Sequence, residues 1–316
     1  MKLVFDMETG WMIGGSVALL FLATIVGWLL ARRGGSPAYQ ATIANLNART
    51  RAWWIMVAVF VGAMLTGGIG SVVLFGLLSF FALREFITMT PTHPADHRAL
   101  FWIFFIITPL QYWFVATGWY GMFSIFIPVY AFLFVPLRSV ISGDCERFLE
   151  RMAKIQWALM ICVYCVSYAP ALLKLSIPGY EGQNGKLLFY LVLVVQLSDV
   201  FQYVWGKTLG RHKIAPNVSP NKTWEGFIGG IATATAVGAA LWWATPFTPL
   251  QSAGMSLAIT VMGFAGGLVM SAIKRDRGIK DYGSMIEGHG GVMDRIDSIC
   301  FSAPVFFHLT RYFFTP

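Results

Sequence analysis

The sequence predicts an all-α fold, a polytopic bundle of about ten transmembrane helices with both termini outside the membrane. Of the 316 residues, 57% are hydrophobic and 12% are charged, which is too little charge to cover a soluble domain of this size. The apolar residues also fall into long runs such as 11–31, and about 20 apolar residues span a bilayer core as a helix. The chain is therefore predicted to be a membrane protein.

The first apolar run is predicted to be a transmembrane helix rather than a cleaved signal peptide. A signal peptide has a basic start, a short apolar core and a small-residue cleavage site. Here the start carries Asp6 and Glu8 against a lone Lys2, and the positive charge of Arg32 and Arg33 follows the run. This charge order predicts a first helix whose N-terminus lies outside.

Ten apolar stretches account for the predicted bundle. They are 11–31, 52–66, 68–83, 100–117, 120–137, 155–173, 187–206, 226–245, 251–270 and 299–314. Only Gly67 separates the second stretch from the third, so these two are predicted to form either a tight hairpin or a re-entrant pair. When the loops alternate from an outside N-terminus, 19 of the 23 Lys and Arg residues fall on the inside, as expected for cytoplasmic loops.

The placement of charge also indicates where the protein acts. The formal net charge of +8 is concentrated in the inside loops, which favours anionic headgroups and nucleotides and does not indicate nucleic acid. Residues 187–316 are predicted to form a catalytic transmembrane region with cytoplasmic loops 207–225 and 271–298, in a bacterial inner membrane. Residues 1–186 are predicted to form an N-terminal bundle, with dimerisation and lipid access as candidate roles.

Loop 271–298 has the composition of a site for Mg²⁺ and phosphate. Carboxylates bind Mg²⁺, which bridges them to nucleotide phosphates, and Lys and Arg neutralise the remaining charge. Glycines allow backbone N–H groups to approach an anion closely. Asp294 and Asp297 are three residues apart and would share one face of the last helix. The alternative is an ordinary solvated basic loop.

Two further features lie close to this loop in the predicted topology. Ser219 and Pro220 predict a helix start, with Ser as the N-cap and Pro at the first helical position. Lys222 would then lie on the first turn, beside N–H groups that bind anions. Asp199 is an acid in an apolar span, where charge is costly and usually functional. The alternatives are a structural cap with an incidental Lys, and an interfacial Asp paired with a nearby cation.

Two blocks of the sequence resemble the CDP-diacylglycerol synthase (phosphatidate cytidylyltransferase) family. The matching residues are Ser219, Pro220, Lys222, Thr223, Glu225 and Gly226, and then Ser271, Lys274, Arg275, Lys280, Asp281, His289, Gly290, Gly291, Asp294, Arg295 and Asp297. The chain departs from the family pattern at Glu287, where a Pro is usual, and at Gln202, where an Ala is usual.

The resemblance implies transfer of CMP from CTP to phosphatidate or a related lipid phosphate, giving CDP-diacylglycerol and pyrophosphate. It implies Mg²⁺, with Mn²⁺ as a substitute and a second cation as an option, and a homodimer among membrane lipids. The residues implied are Asp199, Asp281 and Asp294 for metal; Lys222, Lys274, Arg275, Lys280, His289 and Arg295 for catalysis; and Ser219, Pro220, Thr223, Glu225, Gly290, Gly291 and Asp297 for substrate.

Two rival functions are weighed against this prediction. A transporter would place its polar residues at the membrane midplane, whereas here they gather at the cytoplasmic edge. An inactive or altered-substrate family member, acting on another lipid phosphate or as a scaffold, is the alternative that Glu287 and Gln202 motivate.

Overall fold

A computed structural model describes residues 6–286, 288 and 290–316. Ten long helices run through this part of the chain, and the predicted helical membrane bundle is confirmed. They are α1 (Met7–Arg32), α2 (Pro37–Leu65), α3 (Gly68–Met89), α4 (Pro94–Thr117), α5 (Tyr120–Val140), α6 (Phe148–Lys174), α7 (Asn184–Thr208), α8 (Trp224–Ala240), α9 (Pro249–Asp276) and α10 (Met293–Phe314). Eight of the ten are long and apolar enough to cross a membrane; α8 and α10 fall short of that standard.

Local sequence signals explain where several helices begin. Asp6 caps α1 by accepting a hydrogen bond from the Thr9 backbone N–H at 2.9 Å. Ser36 caps α2 in the same way, with Pro37 at the first helical position, and Thr248 forms a capping box with Gln251 at the start of α9. These side chains satisfy backbone donors that a helix start otherwise leaves unpaired. Because of its cap, α2 begins well before the apolar stretch at residue 52.

The connection between α2 and α3 is a tight hairpin rather than a re-entrant pair. Only Thr66 and Gly67 separate the two helices, which are 29 and 22 residues long. Gly67 has φ 88°, a left-handed conformation that a side chain would disfavour. The glycine therefore allows the chain to reverse within two residues.

One small sheet departs from the predicted all-helical architecture. Strands β1 (Lys213–Ala215) and β2 (Ser219–Thr223) form an antiparallel hairpin in which Lys213 pairs with Thr223 and Ala215 with Ser219. The hairpin connects α7 to α8 and lies over the ends of the helices that follow it. Helices α7 to α10 pack against one another, and α3 and α6 pack against α10.

Two buried charge clusters support the predicted alternation of the loops. Lys186 is 1% exposed and pairs with Asp6 and Glu8, so the start of α1 and the start of α7 lie at the same end of the bundle. Arg151 pairs with Asp96 at 3.0 Å, which joins two segments predicted to be inside. Buried charges of this kind are stable only when they are paired. Each pairing therefore brings together segments that alternation places on the same side.

Candidate active site

A polar cavity of about 300 Å³ lies where α2, α7, β2, α8, α9 and α10 meet. Seven of the residues predicted to form the site line it. They are Asp199, Ser219, Lys222, Thr223, Asp294, Arg295 and Asp297. The cavity therefore brings both predicted loops and the acidic residue of α7 to one place.

Asp199 and Asp297 form a linked pair of carboxylates in this cavity. The Ser298 hydroxyl donates to Asp199 Oδ2 at 3.0 Å, and the Ser298 backbone N–H donates to Asp297 Oδ1 at 2.8 Å. Among the described residues, no donor is bonded to the remaining oxygen of either carboxylate. Each therefore keeps a free oxygen, and two adjacent acids with free oxygens suit a divalent cation.

Asp294 lines the same cavity, but both of its carboxylate oxygens already accept hydrogen bonds from the protein. It is 5% exposed, and its Oδ1 accepts from Lys274 Nζ at 2.8 Å. Its Oδ2 accepts from the backbone N–H groups of Tyr282 at 2.8 Å and of Gly291 at 3.0 Å. Asp294 thus fastens the loop after α9 to the first turn of α10.

Asp281 is exposed and does not line the cavity. It lies beside Gly290, whose φ is 83° and where an added side chain would meet both Asp281 and Asp294. Within the described part of the chain, no three His, Cys, Asp or Glu side chains are placed to hold a metal ion together. Mg²⁺ usually relies on one or two carboxylates with substrate phosphates and water, and Asp199 with Asp297 fits that pattern.

The predicted cations occupy three different environments. Lys222 lines the cavity with its Nζ 3.5 Å from the Phe264 carbonyl oxygen and 4.5 Å from the centre of that ring. Burial lowers the pKa of Lys222, while the nearby Asp199 and Asp297 oppose that effect. Arg295 also lines the cavity, and its Nε is buried without a hydrogen-bond partner in the described structure.

The remaining predicted cations point elsewhere. Lys274 is committed to Asp294, and Arg275 is exposed and donates to the Ile279 carbonyl oxygen at 2.9 Å. Lys280 is also exposed. His289 and Glu287 lie outside the described residues, so their predicted roles stay predictions.

The predicted helix start at Ser219 and Pro220 is wrong. Both residues belong to β2, and α8 begins at Trp224 with Thr223 as its N-cap, which accepts from the Gly226 backbone N–H at 3.1 Å. Ser before Pro is also compatible with an extended strand at the edge of a sheet, and pairing with β1 selects that conformation. Lys222 is therefore on a strand and is not opposed by the dipole of α8.

Glu225 holds the hairpin in place from the first turn of α8. Its carboxylate accepts from the backbone N–H groups of Arg211 at 3.0 Å and His212 at 3.2 Å, and it contacts His212 Nδ1 at 2.5 Å. It does not line the cavity. Its contacts support β1 and β2 and through them the position of Lys222.

Two residues of the N-terminal half belong to the site and were not predicted. Glu85 on α3 is 8% exposed and accepts from the Val292 and Met293 backbone N–H groups at 2.9 and 2.8 Å, which caps the start of α10. Arg49 on α2 lines the polar cavity. The sequence feature that could have indicated Glu85 is its position as an acid within an apolar helical run. Arg49 has no such feature, because it resembles an ordinary cation of a cytoplasmic loop.

A second cavity of about 570 Å³ adjoins the polar one and is lined almost entirely by apolar side chains of α2, α3, α7 and α10. Gln196 and Arg295 line both cavities. We call this second cavity the apolar groove. The charged cavity and the apolar groove are therefore neighbours that share these two residues in their walls.

A family model described as the cytidylyltransferase family matches residues 47–313. The chain belongs to the cytidylyltransferase family. It is 38% identical over 305 residues to the uncharacterized protein YnbB of Escherichia coli K12, covering 93% of this chain and 96% of that protein. It is 30% identical over 274 residues to a phosphatidate cytidylyltransferase of Staphylococcus aureus, covering 82% of this chain and 97% of that enzyme.

A second named enzyme supports the same assignment. A phosphatidate cytidylyltransferase of Bacillus subtilis is 30% identical over 246 residues, covering 77% of this chain and 86% of the enzyme. The resemblance inferred from the two sequence blocks is thereby confirmed, and this cytidylyltransferase-family member is an integral membrane protein of the nucleotidyltransferase class.

Proposed function

We propose that this protein transfers the cytidylyl group of CTP to a lipid phosphate, with phosphatidate as the first candidate, giving CDP-diacylglycerol and pyrophosphate. The observation that carries the proposal is the polar cavity in which Asp199 and Asp297 face Lys222 and Arg295. Two free carboxylate oxygens with two cations are the groups that Mg²⁺ and the phosphates of a nucleoside triphosphate and its acceptor require. The names of the Staphylococcus and Bacillus relatives support phosphatidate as the acceptor.

Asp199 and Asp297 would hold Mg²⁺ together with the substrate phosphates, with Mn²⁺ as a substitute. The bound cation would neutralise the negative charge that develops on the phosphate oxygens in the transition state. Asp294 fits less well as a direct ligand because its oxygens already accept three hydrogen bonds. The metal roles predicted for Asp281 and Asp294 stay predictions.

The chain's own residues would act by positioning and by charge. A phosphate oxygen of the lipid attacks the α-phosphorus of CTP, the bond from that phosphorus to the bridging oxygen breaks, and pyrophosphate leaves with the bond electrons. No protein nucleophile is required. Lys222 and Arg295 would bind phosphate oxygens and stabilise their charge within a cavity closed on several sides by helices.

The proposed location is the cytoplasmic face of a bacterial inner membrane. The supporting observation is that the cavity lies beside segments 207–225 and 271–298, which carry nine of the chain's basic residues. CTP is a soluble cytoplasmic nucleotide, so a site on this side would meet it directly. A homodimer remains a proposal that rests on the family resemblance.

An altered acceptor is the second candidate function. Gln202 lines the polar cavity where the family usually has Ala, and its amide nitrogen donates to the Ser198 hydroxyl at 2.8 Å. A longer polar side chain at this position changes the shape of the cavity that the acceptor headgroup would enter. This observation favours testing lipid phosphates other than phosphatidate.

The deciding experiment measures pyrophosphate release from CTP by the purified full-length protein in detergent or nanodiscs. Phosphatidate, lysophosphatidate and a polyprenyl phosphate are supplied in turn, with and without Mg²⁺. We expect release with at least one lipid phosphate, its loss on chelation, and its loss in Asp199→Asn. Wild-type protein that releases no pyrophosphate with any of the three, whether or not it binds CTP, would refute the proposal.

A further inference from the structure

The polar cavity and the apolar groove lie side by side, and Arg295 and Gln196 line both of them. We propose that Arg49 and Arg295 bind the phosphate of the lipid acceptor at this junction, while one acyl chain lies in the apolar groove. The inference rests on the proposed function and specifies where the lipid phosphate binds. It also gives the N-terminal half, through α2 and α3, a direct part in substrate binding.

The groove has the surface that a hydrocarbon chain requires. Each of its four helices contributes side chains at helical spacing, so that one face of each helix points inward. On α10, for example, Ile296 and Ile299 line the groove, and on α7 Val192 lies one turn from Gln196. A cavity of about 570 Å³ is within the usual range for small-ligand sites.

The groove also reaches the outer surface of the helix bundle, where membrane lipid would contact it. Ile55 and Val59 of α2 line it and are 66% and 50% exposed, within a helix long and apolar enough to cross the membrane. A lipid could therefore enter from the bilayer without leaving an apolar environment. A water-soluble acceptor would gain little from the apolar side chains that make up most of these walls, because they offer only apolar burial.

The junction has the charge that a phosphate headgroup requires. The Nε of Arg295 is buried without a hydrogen-bond partner in the described structure, and a buried unsatisfied donor is costly. Arg49 lines the same cavity, and no carboxylate of the described residues forms an ion pair with it. Two guanidinium groups facing one cavity are the arrangement in which a phosphate can accept several hydrogen bonds at once.

Gln196 fixes the geometry of this junction. Its amide nitrogen donates to the Arg295 backbone oxygen at 3.3 Å, which ties α7 to α10 where the two cavities meet. This bond holds the backbone of Arg295, the residue that lines both the polar and the apolar space. A phosphate bound there would be in the same cavity as Lys222, Asp199 and Asp297, where the nucleotide is proposed to bind.

The first experiment separates acceptor binding from nucleotide binding. In Arg49→Gln the KM for the lipid phosphate should rise at least ~10-fold, the scale of one lost charge-assisted hydrogen bond, whereas the KM for CTP should change less than about twofold. Arg33→Gln, in the exposed connection between α1 and α2, is the matched control and should leave both constants unchanged. An unchanged acceptor KM in an active, folded Arg49→Gln variant would overturn the inference.

The second experiment tests the groove by chain length. Val59→Trp should narrow it and reduce kcat/KM for a dipalmitoyl acceptor at least ~5-fold more than for a dihexanoyl acceptor, a difference of about 1 kcal/mol. Val73→Trp, on a comparably exposed position of α3 outside the groove, is the control and should keep the wild-type chain-length profile. Identical profiles in wild type and Val59→Trp would show that the chain lies elsewhere.

The two proposals fail in different ways. If wild type binds CTP but transfers nothing to any lipid phosphate, the proposed function fails and the acceptor site fails with it. If wild type is active and both variants retain wild-type acceptor kinetics, only the acceptor site fails. Conversion of Val59→Trp from dimer to monomer, with unchanged lipid kinetics, would instead assign the groove to a second copy of the chain.

Discussion

Asp294 and Asp281 were predicted alike as metal ligands, and their surroundings predict different consequences for Asp→Asn. Asp294 is 5% exposed and pairs with Lys274, whose side chain is 12% exposed. In Asp294→Asn the amide oxygen can still accept from the two backbone N–H groups, but the amide nitrogen then faces the Lys274 ammonium. Removing one partner of a buried pair costs about 3–5 kcal/mol, and we expect the lower end because Lys274 is not fully buried.

Asp281→Asn should leave stability within about 0.5 kcal/mol of wild type, because the side chain is exposed and makes no hydrogen bond in the described structure. If both residues bind metal, each variant should also lose at least ~10²-fold in turnover. Thermal unfolding in one detergent, followed by tryptophan fluorescence, gives the comparison alongside the kinetic assay. An Asp294→Asn protein as stable as wild type would refute the role assigned to its contacts.

Three further predictions address the remaining parts of the site. Lys222→Met should lower kcat/KM for CTP at least ~10-fold without destabilising the empty protein, since it removes a cation whose pKa burial lowers; normal CTP kinetics would contradict its phosphate role. Lys213→Cys, without the native cysteines, should be shielded from an impermeant outside reagent, and labelling would overturn the topology. Glu85→Gln should lower kcat at least ~10-fold with little change in either KM, as its contacts are to α10 and not to substrate, whereas the exposed Glu150→Gln should have no effect.

The helices could be predicted from the sequence because membrane spans are decided locally. Long apolar runs and the count of basic residues are sufficient for that purpose. The hairpin 213–223 could not be predicted in the same way. Ser219 and Pro220 satisfy the requirements of a helix start and of an edge strand equally well, and the choice depends on pairing with β1, which no local pattern reveals.

The candidate site was predictable only in part, for a related reason. Asp199, Lys222, Arg295 and Asp297 belong to blocks whose residue types indicate phosphate chemistry, and they meet in one cavity. Spacing could not distinguish Asp297 from Asp294, because residues three apart share a helix face. The difference arises from the loop before α10, which folds back so that Asp294 accepts its backbone hydrogen bonds.

The cap that Glu85 places on α10 has a consequence for biosynthesis. Glu85 and Val292 are 207 residues apart, and among the described residues just before α10 no side chain caps that helix. A ribosome delivers α3 to the membrane long before α10 emerges. The Glu85 carboxylate is therefore present before the Val292 and Met293 N–H groups that donate to it have been synthesised. The site is therefore completed only after the start of α10 has been synthesised. A C-terminal fragment translated by itself would lack Glu85. The Val292 and Met293 N–H groups at the start of α10 would then lose the carboxylate that accepts their hydrogen bonds.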